Sequence, residues 1–130
     1  MAERLRLFQE DLRHDPFWML VGCILVNCTT WRAAKPVHAE LMRNHTPESM
    51  AVLPPAKLYP IVKGLGFGAV RSRNLVGLAM AWVQKPPRTA ADVLELPGCG
   101  KFARDSWAIF VDGAPADPTD KKLISYLKSR

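Results

Sequence analysis

No stretch of this 130-residue chain alternates apolar and polar residues over a useful length, and that absence removes strands from the start. Internal repeats and low-complexity tracts are missing too. Only three cysteines occur, Cys23, Cys28 and Cys99, so they cannot all pair, and two lie in apolar sequence. They read as reduced thiols of an intracellular protein. No CxxC pair or His/Cys cluster offers zinc ligands, and three cysteines are too few for an all-cysteine iron–sulfur site, so no metal ligands and no redox cofactor are expected. The apolar run FWMLVGCILV, residues 17 to 26, is about half the length of a membrane span. It follows the charged segment ERLRLFQEDLRHD, which does not suit a signal peptide, and it reads as a buried core helix with no membrane partner. Acidic residues are in deficit, 12 Asp and Glu against 18 Lys and Arg, and the net charge of +6 favours an anionic partner. Nucleic acid comes first and a membrane surface second.

Helical spacing fills the chain. Leu5, Phe8, Gln9 and Leu12 predict a helix from residue 4 to about 13. Asp15-Pro16 is a cap and first-turn pair opening the apolar helix that runs towards Cys28. WRAAKPVHAELMRN, residues 31 to 44, puts Ala34, Val37 and Leu41 on one face, with Pro36 in the first turn or at a kink. Thr46-Pro47-Glu48 and Pro54-Pro55 open two short helices, the second ending in Gly64-Leu65-Gly66-Phe67-Gly68. A longer helix over 69–84 carries Val70, Leu75, Leu78, Ala79 and Trp82 as its apolar stripe. Thr89 caps the segment AADVLEL, residues 101 to 113 read as helix with Phe102, Trp107, Ile109 and Phe110 inward, and the final helix turns Leu123, Ile124 and Leu127 to the core. The fold class is all-α, and the length fits one domain over residues 1–130.

The chemistry concentrates where ADVLEL, PGCG and KFARDSWAIF follow one another, a helix, a tight hairpin over 96–101 and a second helix. Pro97, Gly98, Cys99, Gly100 and Lys101 form that hairpin. Its glycines expose backbone N–H groups, the second helix adds its positive end, and such donors suit a phosphate oxygen. A cation could also bridge hairpin carbonyls to the phosphate. Taken alone, PGCG is equally a glycine-capped helix break.

LPGCGKFA resembles the helix-hairpin-helix of the HhH-GPD DNA glycosylase superfamily, which includes endonuclease III and the adenine-mismatch glycosylase. In that superfamily an essential aspartate follows after one helix and a Gly/Pro-rich loop, here the segment GAPADPTD over 113–120, ending at Asp120. Across nearly the whole chain the similarity is closest to the thymine-mismatch glycosylase domain of the methyl-CpG-binding repair protein. LFQEDLRHDPFWMLVGCILVN, GLGFGAVRSRNLV and DPTDKKLISYL carry it. No methyl-CpG-binding segment is present, so the expectation is a catalytic module alone, acting as a monomer on double-stranded DNA inside the cell.

The resemblance implies an N-glycosylase that removes thymine or uracil opposite guanine, with Asp120 as catalytic carboxylate. A carboxylate against C1′ stabilises oxocarbenium-like charge and can orient the attacking water, and a pyrimidine anion leaves without a second carboxyl acid. Alone, Asp120 is equally a helix cap. Members that also nick the backbone carry a nucleophilic lysine where this chain has Phe102, so no lyase activity is expected. Phe67 matches the apolar wedge, Cys28 a gap-filling arginine, Gln9 a glutamine that reads the flipped pyrimidine, and Phe102 a pocket tyrosine. A buried loop anchor for Phe67 and a surface glutamine for Gln9 are the plainer readings. Arg71, Arg73 and Lys101 are the expected phosphate contacts, with Arg104, Lys121 and Lys122 behind them. Two other functions compete: a glycosylase for a modified pyrimidine such as 5-hydroxymethyluracil, and a non-catalytic DNA-binding module. A helical transcriptional regulator ranks third, lacking a long polar recognition helix after the turn.

Overall fold

The computed structural model describes residues 6–129, all of them helix, turn or loop. Among the described residues nine α-helices succeed one another: α1 Phe8–Leu12, α2 Pro16–Leu25, α3 Trp31–Asn44, α4 Pro47–Ala51, α5 Tyr59–Val62, α6 Gly68–Gln84, α7 Ala90–Val93, α8 Lys101–Ser106 and α9 Lys121–Lys128. The expected helix from residue 4 lies partly outside the described residues. Within them it starts only at Phe8, because Leu7 is extended.

α2 is the axis of the fold. Every residue from Phe17 to Leu25 is buried, since α1, α3, α6 and α8 all pack around it. Threonines start three of the helices. Thr30 accepts the N–H of Ala33, while Thr46 with Ser49 and Thr89 with Asp92 form reciprocal capping boxes. Asp15 precedes Pro16 as expected but makes no side-chain cap bond. Pro36 sits in the second turn of α3 rather than the first, where its missing N–H removes one internal hydrogen bond.

The core joins α2, α6 and the hairpin region through Met19, Leu20, Leu75, Leu78 and Val93, and reaches Leu123 and Tyr126 of α9. Two expected core positions stand in solvent instead, Val70 on α6 and Leu127 on α9. After Ser106, α8 widens into a π-turn over Trp107–Val111, closed by the Asp112 N–H on the Trp107 carbonyl at 3.0 Å. Trp107, Ala108 and Phe110 are all buried on it. The result places the C-terminal end of α2, the start of α8 and the start of α9 side by side.

Candidate active site

A cleft of about 740 Å³ opens between those three helix ends and α1. It brings together Gln9, Cys28, Gly98, Gly100, Lys101, Phe102 and Asp120, residues drawn from positions far apart in the chain. Phe67, Arg71, Arg73, Pro97 and Cys99 do not line it.

Asp120 caps α9. Its Oδ2 accepts the N–H groups of Lys122 at 3.0 Å and Leu123 at 3.1 Å, and Oδ1 accepts none from the described residues. The carboxylate therefore has one oxygen fixed by the helix start and one left over for other work. Lys121 and Lys122 share the rim with it.

Gln9 is no surface glutamine. It is 1% exposed, its Nε2 donates to Ser106 Oγ at 3.2 Å, and its Oε1 has no partner among the described residues. An unpaired buried acceptor costs about 1–3 kcal/mol, so it is informative when it borders a cleft. Burial pushes the neighbouring Cys23 thiol well up from its usual range, a hydrogen bond to Ser106 pulls the other way, and the nearby Cys99 thiol and Asp120 carboxylate push it up again. Cys23 is thus a neutral thiol close enough to Asp120 to feel its charge. Phe8 lies flat against Trp31, ring centroids 4.4 Å apart, and both border the cleft. That packing depends on Gly22, where an added Cβ would stand 2.7 Å from the Phe8 ring.

The hairpin is built as its glycines suggest. Gly98 has φ +74, and a Cβ there would meet Asn74 Cβ at 2.8 Å. Pro97 packs over Gly77 of α6. Gly100 caps α8 without a side-chain bond, so the first-turn amides of α8 face outward without an acceptor among the described residues. Cys99 corrects the expectation of a DNA contact. Its side chain is buried, burial pushes its thiol up to about 12, and its N–H is already spent on the Leu96 carbonyl at 3.1 Å. The Leu96 and Gly100 carbonyls each accept one backbone N–H, so a cation at the hairpin would have to use their second lone pairs. Among the described residues no three His, Cys, Asp or Glu side chains cluster as metal ligands.

Arg71 is a second correction. It is 3% exposed and cannot reach a phosphate. Its guanidinium donates instead to five carbonyls: Gly66 at 2.7 Å, Ile24 at 2.8 Å, Leu25 and Leu65 at 3.2 Å, and Asn27 at 2.5 Å. It satisfies orphan carbonyls at the end of α2 and binds that end to the glycine-rich loop before α6. Each of the two segments carries a non-glycine residue in the left-handed region, Cys28 at φ 64 and Phe67 at φ 51. Phe67 is 66% exposed, which overturns the buried-anchor alternative. Left-handed backbone at non-glycine residues costs about 1–3 kcal/mol and clusters at functional positions. Arg73 is exposed on α6, outside the cleft.

Sequence reasoning missed two residues, Asp105 and Ser106, both buried under the cleft. The Lys101/Asp105 spacing of four on one helix was the available signal for the first. Ser106 had none, standing in a segment that reads as apolar.

The described helices include none long and apolar enough to cross a membrane. The chain is 32% identical over 123 residues to the methyl-CpG-binding domain protein 4-like protein of Arabidopsis thaliana, covering 92% of this chain and 27% of that protein. It is 25% identical over 119 residues to the thymine-DNA glycosylase of Aeropyrum pernix, covering 88% of this chain and 53% of the relative. The chain thus spans about half or less of these relatives. Among solved structures, a thermostable thymine-DNA glycosylase superposes with a TM-score of 0.80 at 23% identity, over 92% of this chain and 57% of that one. A non-covalent endonuclease III–DNA complex gives 0.76 at 21% identity, over 93% of this chain and 56% of that one, and both show the shared fold. The profile of the HhH-GPD superfamily base excision DNA repair proteins matches residues 21–119, and the chain belongs to that family.

Proposed function

We propose that this chain is a monofunctional DNA glycosylase that hydrolyses the N-glycosidic bond of a thymine or uracil opposite guanine. The observation that carries the reading is the half-engaged Asp120 carboxylate, in one cleft with the hairpin and the orphaned Gln9 acceptor. The relatives that cover most of this chain bear thymine-glycosylase and methyl-CpG-binding names, and they favour the same chemistry.

Each part follows from the residues. Uncapped amides at the start of α8, with Lys121 and Lys122 on the rim, suit the backbone of a DNA duplex. The target nucleotide must leave the stack to reach Asp120, and Phe67, an exposed aromatic outside the cleft on the loop that Arg71 ties to the end of α2, is the side chain to fill the space. Gln9 lines the cleft, its buried Oε1 lacks a donor among the described residues, and the N3–H of a thymine or uracil that reaches it supplies one where cytosine presents an acceptor instead. As the C1′–N bond breaks, its electron pair leaves with the base. The Asp120 carboxylate stabilises the charge at C1′ and takes a proton from the water that adds there, and solvent protonates the departing base. The duplex keeps an abasic site.

Lyase chemistry in the family uses a lysine at one hairpin position. Phe102 occupies the position of the family lysine, and the Lys101 ammonium is tied into an ion pair with Asp105. The test is single-turnover base release from duplexes holding G·T, G·U and G·5-hydroxymethyluracil, developed with alkali, alongside borohydride trapping. Release without a trapped adduct supports the proposal. Release of the modified base alone would move the substrate to that class, and a trapped adduct would end the monofunctional assignment.

A further inference from the structure

Lys101 follows the second hairpin glycine, a place from which it could meet an approaching phosphate. Its ammonium is engaged within the protein. Nζ donates at 2.7 Å to Oδ2 of Asp105, one turn further along α8, and at 2.7 Å to the backbone carbonyl of Asp117. Asp117 belongs to the loop that delivers Asp120.

Asp105 is the unusual partner, a carboxylate whose side chain is 5% exposed. Buried charge is tolerated when paired, and Lys101 on one side and Arg104 at 3.3 Å on the other provide the pairing. Stability alone does not account for it, since a well-packed apolar residue serves as well or better. What the buried carboxylate does achieve is to hold one ammonium in a fixed place. That ammonium grips the loop three residues before Asp120. The loop is tied to the helix behind it at its other end, where the Ala114 N–H meets the Ala108 carbonyl at 2.8 Å. Because Asp120 caps α9 with its own side chain, its carboxylate moves with the first turn of that helix.

We infer that Lys101 and Asp105 form a strut that sets where Asp120 stands against the hairpin. Lys101 is then a positioning residue for base release and not a phosphate contact. The inference rests on the glycosylase reading above. Two of the three ammonium donors are used, so a phosphate contact through the third is the competing role, and affinity separates the two.

The experiment uses the whole chain with Lys101→Met, Asp105→Asn and the double variant. Base release from a G·U duplex is measured at saturating enzyme, and binding to a non-cleavable 2′-fluoro analogue across salt concentrations. Misplacing the carboxylate by about an ångström lowers the saturated rate of Lys101→Met by roughly a hundred-fold. Its Kd stays within about two-fold and its salt slope is unchanged. Asp105→Asn reproduces the rate loss, and the double variant is no slower than the slower single one. A phosphate contact gives the reverse pattern, an unchanged saturated rate with weaker binding and a salt slope smaller by about one, and that overturns the strut. Thermal melts check folding, and the partly exposed Lys101 carries the test if Asp105→Asn does not fold. Should the wild-type chain release no base from any duplex, the glycosylase reading fails separately. The strut is then decided by amide hydrogen exchange over residues 113–120. Faster exchange in Lys101→Met sustains it and unchanged exchange ends it.

Discussion

Gln9 shows how a single side chain reports on function through an interaction it lacks. It is buried, it donates to Ser106, and its carbonyl oxygen goes unpaired beside the cleft. A residue chosen for stability would not leave that acceptor empty. Replacing it by leucine therefore removes a penalty as well as a hydrogen bond. We expect Gln9→Leu to keep the wild-type melting temperature while its saturated rate of base release falls by about ten-fold or more. A variant that loses stability and retains its rate would make Gln9 a structural residue. The glutamine was legible in the sequence only through family resemblance, because spacing alone put it among apolar neighbours without saying that it was buried. Arg71 was misread for a related reason. Arginine near a glycine-rich turn suggests phosphate, and nothing in the sequence shows that five carbonyls from two distant segments converge on it.

At the scale of elements, helix starts were the most readable feature and loop closures the least. Thr46 and Thr89 cap where the sequence predicts, since a cap and the N–H it accepts lie within four residues. The π-turn at Trp107–Val111 and the non-helical Leu7 depend on packing against other elements, which local spacing does not encode. The Arg71 staple is the strongest such long-range link, joining the end of α2 to the loop before α6. Arg71→Met removes a donor from all five carbonyls and leaves that of Ile24 with a long Asn27 N–H contact at 3.4 Å, and a loss of about 3 kcal/mol is expected. Arg71→Lys recovers little of it, because one ammonium cannot span the guanidinium fork. Urea melts of the two variants check this. Stability equal to wild type in both would show that water satisfies the carbonyls unaided.

Over the whole molecule, pH reaches the fold through a residue outside the cleft. His38 is buried between Trp18 and Trp31, and its Nε2–H donates to the Trp18 carbonyl at 2.8 Å. Burial lowers its pKa from the usual value of 6.5, against smaller opposing effects of that bond and of Asp15. The unfolded chain therefore binds the proton more readily. The stability that follows is complete above about pH 6.5 and is lost as pH falls from there through the folded-state value. Thermal midpoints should decline on acidification, and His38→Gln, which retains a donor at the same place, should decline less. An identical decline in both would assign the effect to other groups. The same whole-molecule view explains what the chain's sequence could announce. Hairpin, loop and Asp120 lie within 25 residues and share one motif, whereas the cleft wall from α1 and α2 is supplied by tertiary packing alone.

The central claim is that the Asp120 carboxylate performs base release. The direct measurement compares wild type and Asp120→Asn in single turnover on a G·U duplex, with binding to the same duplex followed in parallel. Asparagine keeps the size of the side chain and an oxygen able to accept from Lys122 and Leu123, and it removes the charge. The account predicts base release by the wild type, loss of it by about a thousand-fold in the variant, and duplex binding by both. Equal release by the two proteins would contradict it and return Asp120 to the role of a helix cap.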